Sequence, residues 1–280
     1  MSPAKTERIW RIRGREQRPC DDELAVEEPL EIRLAGGPLH ARWQRRLTIT
    51  LRTPGADEEL ALGFLLAEGV IAHQEEVLAL EPLHDPRTGT YANVLRATLA
   101  PDVEVDWQRF ERQFVSTAAC GLCGRAVLDT EWVRGGRVQP GGSFSLDEGV
   151  LRGLPAAMRA AQSVFSRTGG LHAAALFTSE GELDLLREDI GRHNAVDKVI
   201  GAAFRRDASH LSRRGLLVSG RAGFELVQKA VVAGIPLMAA IGAPSSLGVE
   251  VARACGLTLV GFLNAGGFNV YSAPERIRFS

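Results

Sequence analysis

The feature that most constrains the fold is a series of short apolar segments in the second half of the chain. Each is long enough for one buried strand, and they are residues 216–218, 237–241 and 257–262. Between them lie two helix-length segments, 224–233 and 245–254, which end next to Gly234 and Gly256. Apolar strands that alternate with helices indicate a parallel or mixed sheet covered on both faces. The second half therefore predicts an α/β fold.

The segment before these strands predicts a helix, a hairpin and a second helix. Ser145 and Glu148 have the spacing of a capping box, and apolar residues recur on one helical face until Gly169. Two apolar segments that flank a Ser-Glu-Gly turn predict the hairpin, at residues 173–177 and 183–187. The next helix is expected at residues 195–204. The predicted order is thus helix, hairpin, helix, and then alternating strands and helices.

The first half of the chain predicts a smaller α+β domain. Its expected elements are, in order, a strand at 47–51, a helix at 58–68, and strands at 75–80 and 92–99. Glycine and proline cluster at residues 135–142, which makes this stretch the predicted linker. We therefore expect an N-terminal α+β domain over residues 1–142 and an α/β domain over residues 143–280.

Charge and hydropathy limit the partners and compartments that suit this chain. With 33 Lys and Arg against 34 Asp and Glu, the formal net charge is -1, so no overall positive field would hold a nucleic acid. Residues 1–17 are basic but lack the apolar stretch of a secretory signal, and no segment reaches the roughly 18 apolar residues that span a bilayer. We expect a cytoplasmic protein with no nucleic-acid or membrane partner, whose cysteines stay reduced or bind metal.

The sharpest local motif is the pair Cys120 and Cys123, set in Ala-Cys-Gly-Leu-Cys-Gly-Arg. Two thiols at this spacing reach the same partner atom, and Arg125 with a following helix start would favour the nucleophilic thiolate. The spacing predicts redox or sulfur-transfer chemistry with Cys120 as the attacking sulfur. Half of a zinc site and incidental thiols stay open as alternatives. No second CxxC exists, and Cys20 and Cys255 are interpreted as small buried hydrophobes, so no metal ligand is assigned.

A second polar segment, residues 187–198, lies between a predicted strand and a predicted helix. Open α/β sheets bind ligands at such places, and helix N-termini attract anions. Arg192, His193 and Lys198 are therefore candidates for holding phosphate groups. The alternative is a capped helix start whose charges pair with one another.

Two further strand ends carry glycine-bearing loops. In residues 219–225, glycines allow a ligand to approach the backbone closely, and Arg221 supplies charge. In residues 261–271, Asn264 and its neighbours offer amide groups at the carboxyl end of the last strand, where open sheets bind ligands. A glycine-bearing turn and a plain hairpin explain these two loops equally well. The sequence contains neither GxxxxGK[ST] nor GxGxxG, so it supports neither nucleotide hydrolysis nor a dinucleotide fingerprint.

Together these motifs resemble one known family, the formate dehydrogenase accessory sulfurtransferases, FdhD. The resemblance runs from about residue 27 to residue 271 in the order of that family. It rests on Arg52-Thr-Pro-Gly55, Glu58-Glu-Leu-Ala-Leu-Gly-Phe64, Cys120-Gly-Leu-Cys123-Gly, Glu188-Asp-Ile-Gly-Arg-His-Asn-Ala-Val-Asp-Lys198 and Ser219-Gly-Arg221.

The resemblance implies a function as a persulfide relay. Cys120 would receive sulfur from a cysteine desulfurase and pass it to the bis-molybdopterin guanine dinucleotide form of the molybdenum cofactor, which then enters formate dehydrogenase. Cys123 would either accept the sulfur or displace it by forming a disulfide with Cys120. The residues implied to contact the cofactor are Phe262, Leu263, Asn264, Ala265, Gly266 and Gly267. The strand-end motifs add Arg192, His193 and Arg221 as candidate cofactor-binding residues. No zinc is expected.

The resemblance also implies a cytidine deaminase-like, three-layer second domain with a mixed sheet, and a homodimer. This chain departs from the common family pattern at Gly223, where a serine is usual, and at Asn264, near which an arginine is frequent. The missing guanidinium in that loop leaves Arg192 and Arg221 as the expected phosphate contacts.

Three rival functions differ in what they require of the cysteines. A zinc deaminase needs HxE followed by PCxxC, but alanines follow His172 and Cys120 precedes it in the chain. A dithiol oxidoreductase would move electrons between Cys120 and Cys123 without a sulfur adduct. A noncatalytic cofactor chaperone would keep its function when Cys120 is replaced by alanine.

Overall fold

The computed structural model describes residues 2–107, 110 and 144–279 of the chain. Six α-helices lie in these ranges: α1 (Asp57–Ala67), α2 (Glu148–Ala161), α3 (Phe165–Thr168), α4 (Arg192–Arg206), α5 (Phe224–Val232) and α6 (Ser246–Cys255). The strands of the first half are β1 (Ala4–Arg13), β2 (Glu16–Ala25), β3 (Glu28–Gly36), β4 (Trp43–Arg52), β5 (Val77–His84) and β6 (Tyr91–Leu99). Those of the second half are β7 (Leu146–Asp147), β8 (His172–Phe177), β9 (Leu183–Asp189), β10 (Gly215–Val218), β11 (Leu237–Ala240), β12 (Thr258–Asn264), β13 (Gly267–Ser272) and β14 (Ile277–Arg278).

A six-stranded mixed sheet organises the second half, in the order β13-β12-β11-β10-β8-β9. Strands β10, β11 and β12 are parallel, whereas β8, β9 and β13 run antiparallel to their neighbours. Successive residues of a strand point to opposite faces, so Leu216 and Val218 enter one hydrophobic cluster and Leu217 enters another. The predicted α/β class with a mixed sheet is confirmed.

Helices cover both faces of this sheet. The first cluster includes Val196 of α4, Leu226 of α5 and Ala252 of α6, whereas the second includes Leu151 and Met158 of α2. All of these side chains are nearly inaccessible to solvent. The second half is therefore built in three layers, helix on sheet on helix, as expected.

The first half contributes a four-stranded sheet in the order β4-β3-β6-β5. Its inward residues Leu30, Ile32 and Leu95 belong to the same hydrophobic cluster as α4 and α5. Helix α1 contacts both β6 and α4. The two halves therefore share one core, while the predicted division between residues 142 and 143 falls within the undescribed segment and stays a prediction.

A backbone-to-backbone helix crossing joins the two halves. A Cβ atom at Gly63 of α1 would lie 1.9 Å from the carbonyl oxygen of Asp197, and one at Gly201 of α4 would lie 1.9 Å from that of Glu59. Only glycine fits at either position, because real Cβ atoms do not approach a backbone oxygen so closely. The glycine in the Glu58–Phe64 motif thus allows α1 and α4 to pack without side chains between them.

Two local expectations are wrong. Ser145 does not cap α2: the N-cap is Asp147, and the Ser145 hydroxyl instead accepts a hydrogen bond from Arg278 Nη1 at 2.5 Å. The reason is that β7 pairs with β14, which holds the chain extended before the helix. The predicted helix also does not continue to Gly169, because α2 ends at Ala161 and a separate short helix, α3, follows.

The β1–β2 hairpin was not predicted from the sequence. Its strands pair along their full length, from Ala4 opposite Ala25 to Arg13 opposite Glu16. Most of their side chains are exposed and many are charged, so the apolar alternation that signals a strand is weak.

In the ranges that the structure describes, no helix combines the length and the apolar character needed to cross a bilayer.

Candidate functional site

The carboxyl ends of the three parallel strands meet at one edge of the large sheet. The loops that follow β10, β11 and β12 are hydrogen-bonded in series: Phe262 N donates to Gly242 O at 3.1 Å, and Gly242 N donates to Gly220 O at 3.0 Å. The start of β8 joins them, because Ser219 N donates to Ala173 O at 2.9 Å. In α/β sheets this edge is the usual place for a ligand.

Glycines bring these loops together. A Cβ atom at Gly242 would lie 2.9 Å from Gly220 O and 3.0 Å from Arg221 N, so a side chain there would push the loops apart. Gly220 itself lies beside the ring of His172 and the stem of Arg192. Gly242 and His172 were missed as site residues, although both directly adjoin predicted strands.

Two cations at this edge have no carboxylate partner among the described residues. Across residues 2–107, 110 and 144–279, neither Arg192 nor Arg221 forms a salt bridge, and Arg221 is exposed. Arg192 opens α4, whose first turn carries no acidic residue and whose N-cap, Gly191, supplies no side-chain cap. Guanidinium groups that lack a carboxylate partner attract anions, phosphate among them. Arg192 and Arg221 are therefore available to an anion at the strand edge, and their contact with phosphate stays a prediction.

The two histidines at the edge differ in their partners. His193 Nε2 lies 2.5 Å from Glu225 Oε2, and this hydrogen bond is the main reason that the pKa of Glu225 falls below its usual value. For His172, burial chiefly lowers the pKa, and the positive charge of Arg192, with that of His193 whenever its ring is protonated, lowers it further. These effects favour the neutral imidazole of His172 over the charged form.

Lys198 is not a phosphate ligand, which corrects the sequence-based expectation. Its ammonium group is buried, lies 2.7 Å from Asp189 Oδ2 and donates to Thr53 O at 2.8 Å. For this residue the alternative interpretation of the segment is confirmed: its charge pairs with another charge near the start of the helix. An ammonium group that is enclosed by these partners cannot reach a ligand at the strand edge.

Asp189 links the motif at residues 52–55 to the motif that carries Arg192. Its Oδ1 accepts from Gly191 N at 2.8 Å and from Asn194 Nδ2 at 3.1 Å, and its Oδ2 accepts from Thr53 N at 3.2 Å. Thr53 Oγ1 in turn accepts from Ile190 N at 3.1 Å. The carboxylate thus shapes the loop that leads into α4 and sets the position of Arg192.

The Arg52-Thr-Pro-Gly55 motif also has a structural role. The fully buried Arg52 donates through Nε and Nη2 to the two carboxylate oxygens of Asp57, both at 2.9 Å, and through Nη2 to Asn93 Oδ1 at 2.8 Å. Tyr91 OH donates to the same carboxylate at 3.1 Å. The bidentate pair closes the turn into α1, in which Ala56 has a left-handed φ of 56°.

The predicted cofactor loop, residues 262–267, forms the β12–β13 hairpin. Phe262 is 49% exposed, whereas the Leu263 side chain is fully buried in the second hydrophobic cluster, so only the backbone of Leu263 is available to a ligand. The Asn264 amide closes the turn, because its Nδ2 donates to Phe262 O at 2.9 Å and its Oδ1 accepts from Gly266 N at 2.8 Å. The exposed side chain of Phe262 therefore lies where this hairpin meets the loop that contains Gly242.

The predicted catalytic residues Cys120 and Cys123 lie outside the described residues. Of the other cysteines, Cys255 is buried, as expected, but Cys20 lies partly exposed on β2, which corrects its interpretation as a core residue. Within the part of the chain that the structure describes, no three His, Cys, Asp or Glu side chains are grouped so that they could hold a metal ion.

Comparisons with known proteins agree with this fold. Residues 25–278 match the model of the FdhD/NarQ family. A crystal structure of a protein from Desulfotalea psychrophila, described as a formate dehydrogenase accessory protein, superposes with a TM-score of 0.74 at 24% identity, and covers 99% of this chain and 100% of that one. At this identity, the structural similarity shows a shared fold.

Several curated relatives are much more similar in sequence, and each is named sulfur carrier protein FdhD. The relative from Mycobacterium tuberculosis is 51% identical, covering 91% of this chain and 92% of its own. Those from Streptomyces coelicolor and Anaeromyxobacter dehalogenans are 48% and 47% identical, covering 96% and 91% of this chain and 94% and 88% of their own. Because residues 25–278 of this chain match the family model, the chain belongs to the FdhD/NarQ family.

Proposed function

We propose that this chain is a sulfur carrier of the sulfurtransferase type that serves formate dehydrogenase. In this proposal Cys120 accepts sulfur from a cysteine desulfurase in the cytoplasm and delivers it to the bis-molybdopterin guanine dinucleotide form of the molybdenum cofactor. The observation that carries the proposal is the Cys120 and Cys123 motif in a chain whose relative, 51% identical, is named a sulfur carrier protein.

Loading is a thiol exchange without net redox change. The Cys120 thiolate attacks the outer sulfur of the donor persulfide, the bond between the two donor sulfurs breaks, and the donor cysteine leaves as a thiolate. The new bond joins Cys120 Sγ to the transferred sulfur, which keeps its proton. Because a persulfide is itself open to attack, the sulfur stays transferable.

Cys123 can react with the loaded sulfur by two routes, of which the first keeps the sulfur on the protein and the second delivers it. In one route, its thiolate takes the outer sulfur from Cys120 by the same exchange, and Cys120 leaves as a thiolate. In the other, it attacks Cys120 Sγ, so that a disulfide forms and hydrosulfide is released to the acceptor, and a cellular dithiol then reduces the disulfide. The two routes leave different masses on the peptide that contains both cysteines.

The acceptor is proposed to bind at the carboxyl edge of β10, β11 and β12. Arg192 and Arg221 suit its phosphate groups because neither has a carboxylate partner in the described ranges. Half-exposed Phe262 offers an apolar surface on the adjacent loop, whose backbone is hydrogen-bonded to Gly242, and the backbone of residues 263–267 continues from it. Neutral His172 adds a hydrogen-bonding group that does not repel a nearby cation.

The loading step is tested by mass spectrometry of the intact protein after incubation with a cysteine desulfurase and cysteine. We expect one added sulfur atom, located on the peptide that contains Cys120 and removed by a reducing agent. Cys255→Ala is the control, because its buried thiol should not affect loading. Unchanged mass of the wild-type protein with an active desulfurase would contradict the proposal. Full formate dehydrogenase activation by Cys120→Ala would support a noncatalytic chaperone instead.

A further inference from the structure

Helices α4 and α5 carry matched polar pairs where they meet beside the strand edge. On α4, His193 and Asp197 are four residues apart, and on α5 Glu225 and Lys229 have the same spacing, so each pair shares a helix face. The contacts cross from helix to helix: Glu225 Oε2 lies 2.5 Å from His193 Nε2, and Asp197 Oδ1 lies 2.7 Å from Lys229 Nζ. One contact is at the strand edge, and the other lies one turn deeper.

The deeper contact is a buried ion pair. Asp197 and Lys229 are 2% and 6% exposed, and Lys229 Nζ donates to both carboxylate oxygens of Asp197. Burial raises the pKa of Asp197 to about 6, and the charge and hydrogen bond of Lys229 act to lower it. Burial acts to lower the pKa of Lys229, but the charges of Asp197 and Glu68 outweigh it and raise that pKa. If the two helices separated, a buried charge would be left without its partner, which is energetically costly. The ion pair therefore holds the two helices in register.

The outer contact determines which nitrogen of His193 carries a proton. The hydrogen bond from His193, assisted by the charge of Lys229, keeps the pKa of Glu225 low and the carboxylate ionised. An ionised carboxylate can only accept hydrogen bonds, so Nε2 of His193 must carry the proton in this contact. In the neutral ring the remaining nitrogen, Nδ1, then carries no proton and can accept a hydrogen bond.

We infer that Glu225 is a positioning residue: it fixes the orientation and Nε2 proton of His193, and so prepares Nδ1 for a guanine nucleotide bound at the strand edge. Lys229 and Asp197 support this arrangement by holding α5 against α4. The inference deepens the proposed function and rests on it for the identity of the nucleotide. It adds a residue that acts through His193 rather than on the ligand.

The test combines two measurements on the full chain with guanosine diphosphate as the probe. Nitrogen-15 spectra of the His193 ring report which nitrogen is protonated, and calorimetry reports the dissociation constant. In Glu225→Gln the neutral amide can donate as well as accept, so we expect the His193 tautomers to mix. We expect binding to weaken roughly tenfold, the lower end of the loss that follows when the outer partner of a metal-ligating histidine is removed.

The chain offers a closely matched control in Glu59→Gln. Glu59 contacts Arg187 at 2.6 Å with side-chain exposures of 20% and 29%, close to the 23% and 32% of Glu225 and His193, but it lies on α1 away from the strand edge. This variant should leave both the His193 spectrum and nucleotide binding unchanged. Arg192→Ala and Arg221→Ala serve as positive controls for loss of nucleotide binding.

The outcomes separate this inference from the proposed function. Equal affinity of Glu225→Gln and wild type, with an unchanged His193 spectrum, would overturn the positioning role. If the wild-type protein binds no guanosine diphosphate, the proposed binding edge fails, and the spectra then decide the inference alone. A changed His193 tautomer in Glu225→Gln would still support it, and an unchanged one would remove it.

Discussion

Side chains at the strand edge differ chiefly in whether they already have a partner. Lys198 is enclosed by Asp189 and Thr53, so its charge stabilises the fold. Arg192 and Arg221 have no such carboxylate within the described ranges, so their charges are available to an anion. All three were equal candidates for phosphate binding in the sequence, because charge type alone does not reveal burial or pairing.

The lowered pKa of His172 leads to a pH-dependent prediction. Because the folded-state pKa lies below the ordinary value of 6.5, the unfolded chain binds this proton more readily. The associated stability is present above about pH 6.5 and is lost as the pH falls through the folded-state pKa. Titration by nuclear magnetic resonance should give a pKa for His172 below 6.5.

The Arg192→Ala variant tests the physical cause of this shift. Removing the guanidinium removes one of the charges that lower the pKa of His172, so the pKa should move upward towards 6.5 without reaching it, because burial remains. Arg13→Ala, on the exposed β1 strand, should have no effect on the titration. An identical titration of His172 in Arg192→Ala and wild type would show that the charge does not act on this ring.

At the scale of elements, the crossing of α1 and α4 leaves no space for side chains larger than hydrogen. Gly63 and Gly201 each face a backbone oxygen at a distance that leaves no space for a Cβ atom. The same helices carry the 52–57 turn and Arg192, so their separation would disturb both motifs. A small displacement at the crossing would therefore also shift the candidate site.

Substitution of Gly201 by alanine should destabilise the protein in spite of the higher helix propensity of alanine. Overpacking of a core typically costs about 1–3 kcal/mol, and here the clash is with backbone that cannot rotate away. Gly153→Ala is the matched control, because a Cβ atom there meets nothing within 4 Å and should stabilise α2 by roughly 0.5–1 kcal/mol. Denaturant unfolding measures both, and equal stabilities would contradict the close crossing.

Elements of the second half were predicted to within a few residues wherever their signals are local. Strands β10, β11 and β12 are continuous apolar runs, and α6 ends where Gly256 adopts a left-handed φ of 73°. The β1–β2 hairpin was missed because its pairing is not reflected in apolar alternation. The Ser145 cap was wrong because the competing partner, Arg278, is 133 residues away in the chain.

At the scale of the whole molecule, the two halves are held together by polar as well as apolar contacts. One hydrophobic cluster contains both Ile32 of β3 and Met238 of β11, so the two sheets share a single apolar core. A hydrogen bond crosses between the same halves, because Thr50 Oγ1 of β4 donates to Asn194 Oδ1 of α4 at 3.1 Å. We therefore expect the described parts of the chain to unfold together.

The Lys198→Met variant tests this cooperativity. It leaves the carboxylate of Asp189 buried without its cation, which should cost about 3–5 kcal/mol. Hydrogen exchange at increasing denaturant, followed on peptides from β3 and from β11, should show one shared midpoint that moves down in the variant. Lys5→Met, at an exposed ion pair with Glu7, should leave the midpoint in place. Separate midpoints for β3 and β11 would instead indicate two independently folding domains.

The sequence by itself determined the α/β class, most elements of the second half, the cysteine motif and the family resemblance. These depend on local signals: apolar runs, glycine stops and short motifs of fixed spacing. Only the tertiary structure decided that Lys198 is buried, that α1 and α4 cross at Gly63 and Gly201, and that Glu225 contacts His193. Each of these depends on residues far apart in the chain, and their distances and burial arise only when the helices and sheets pack.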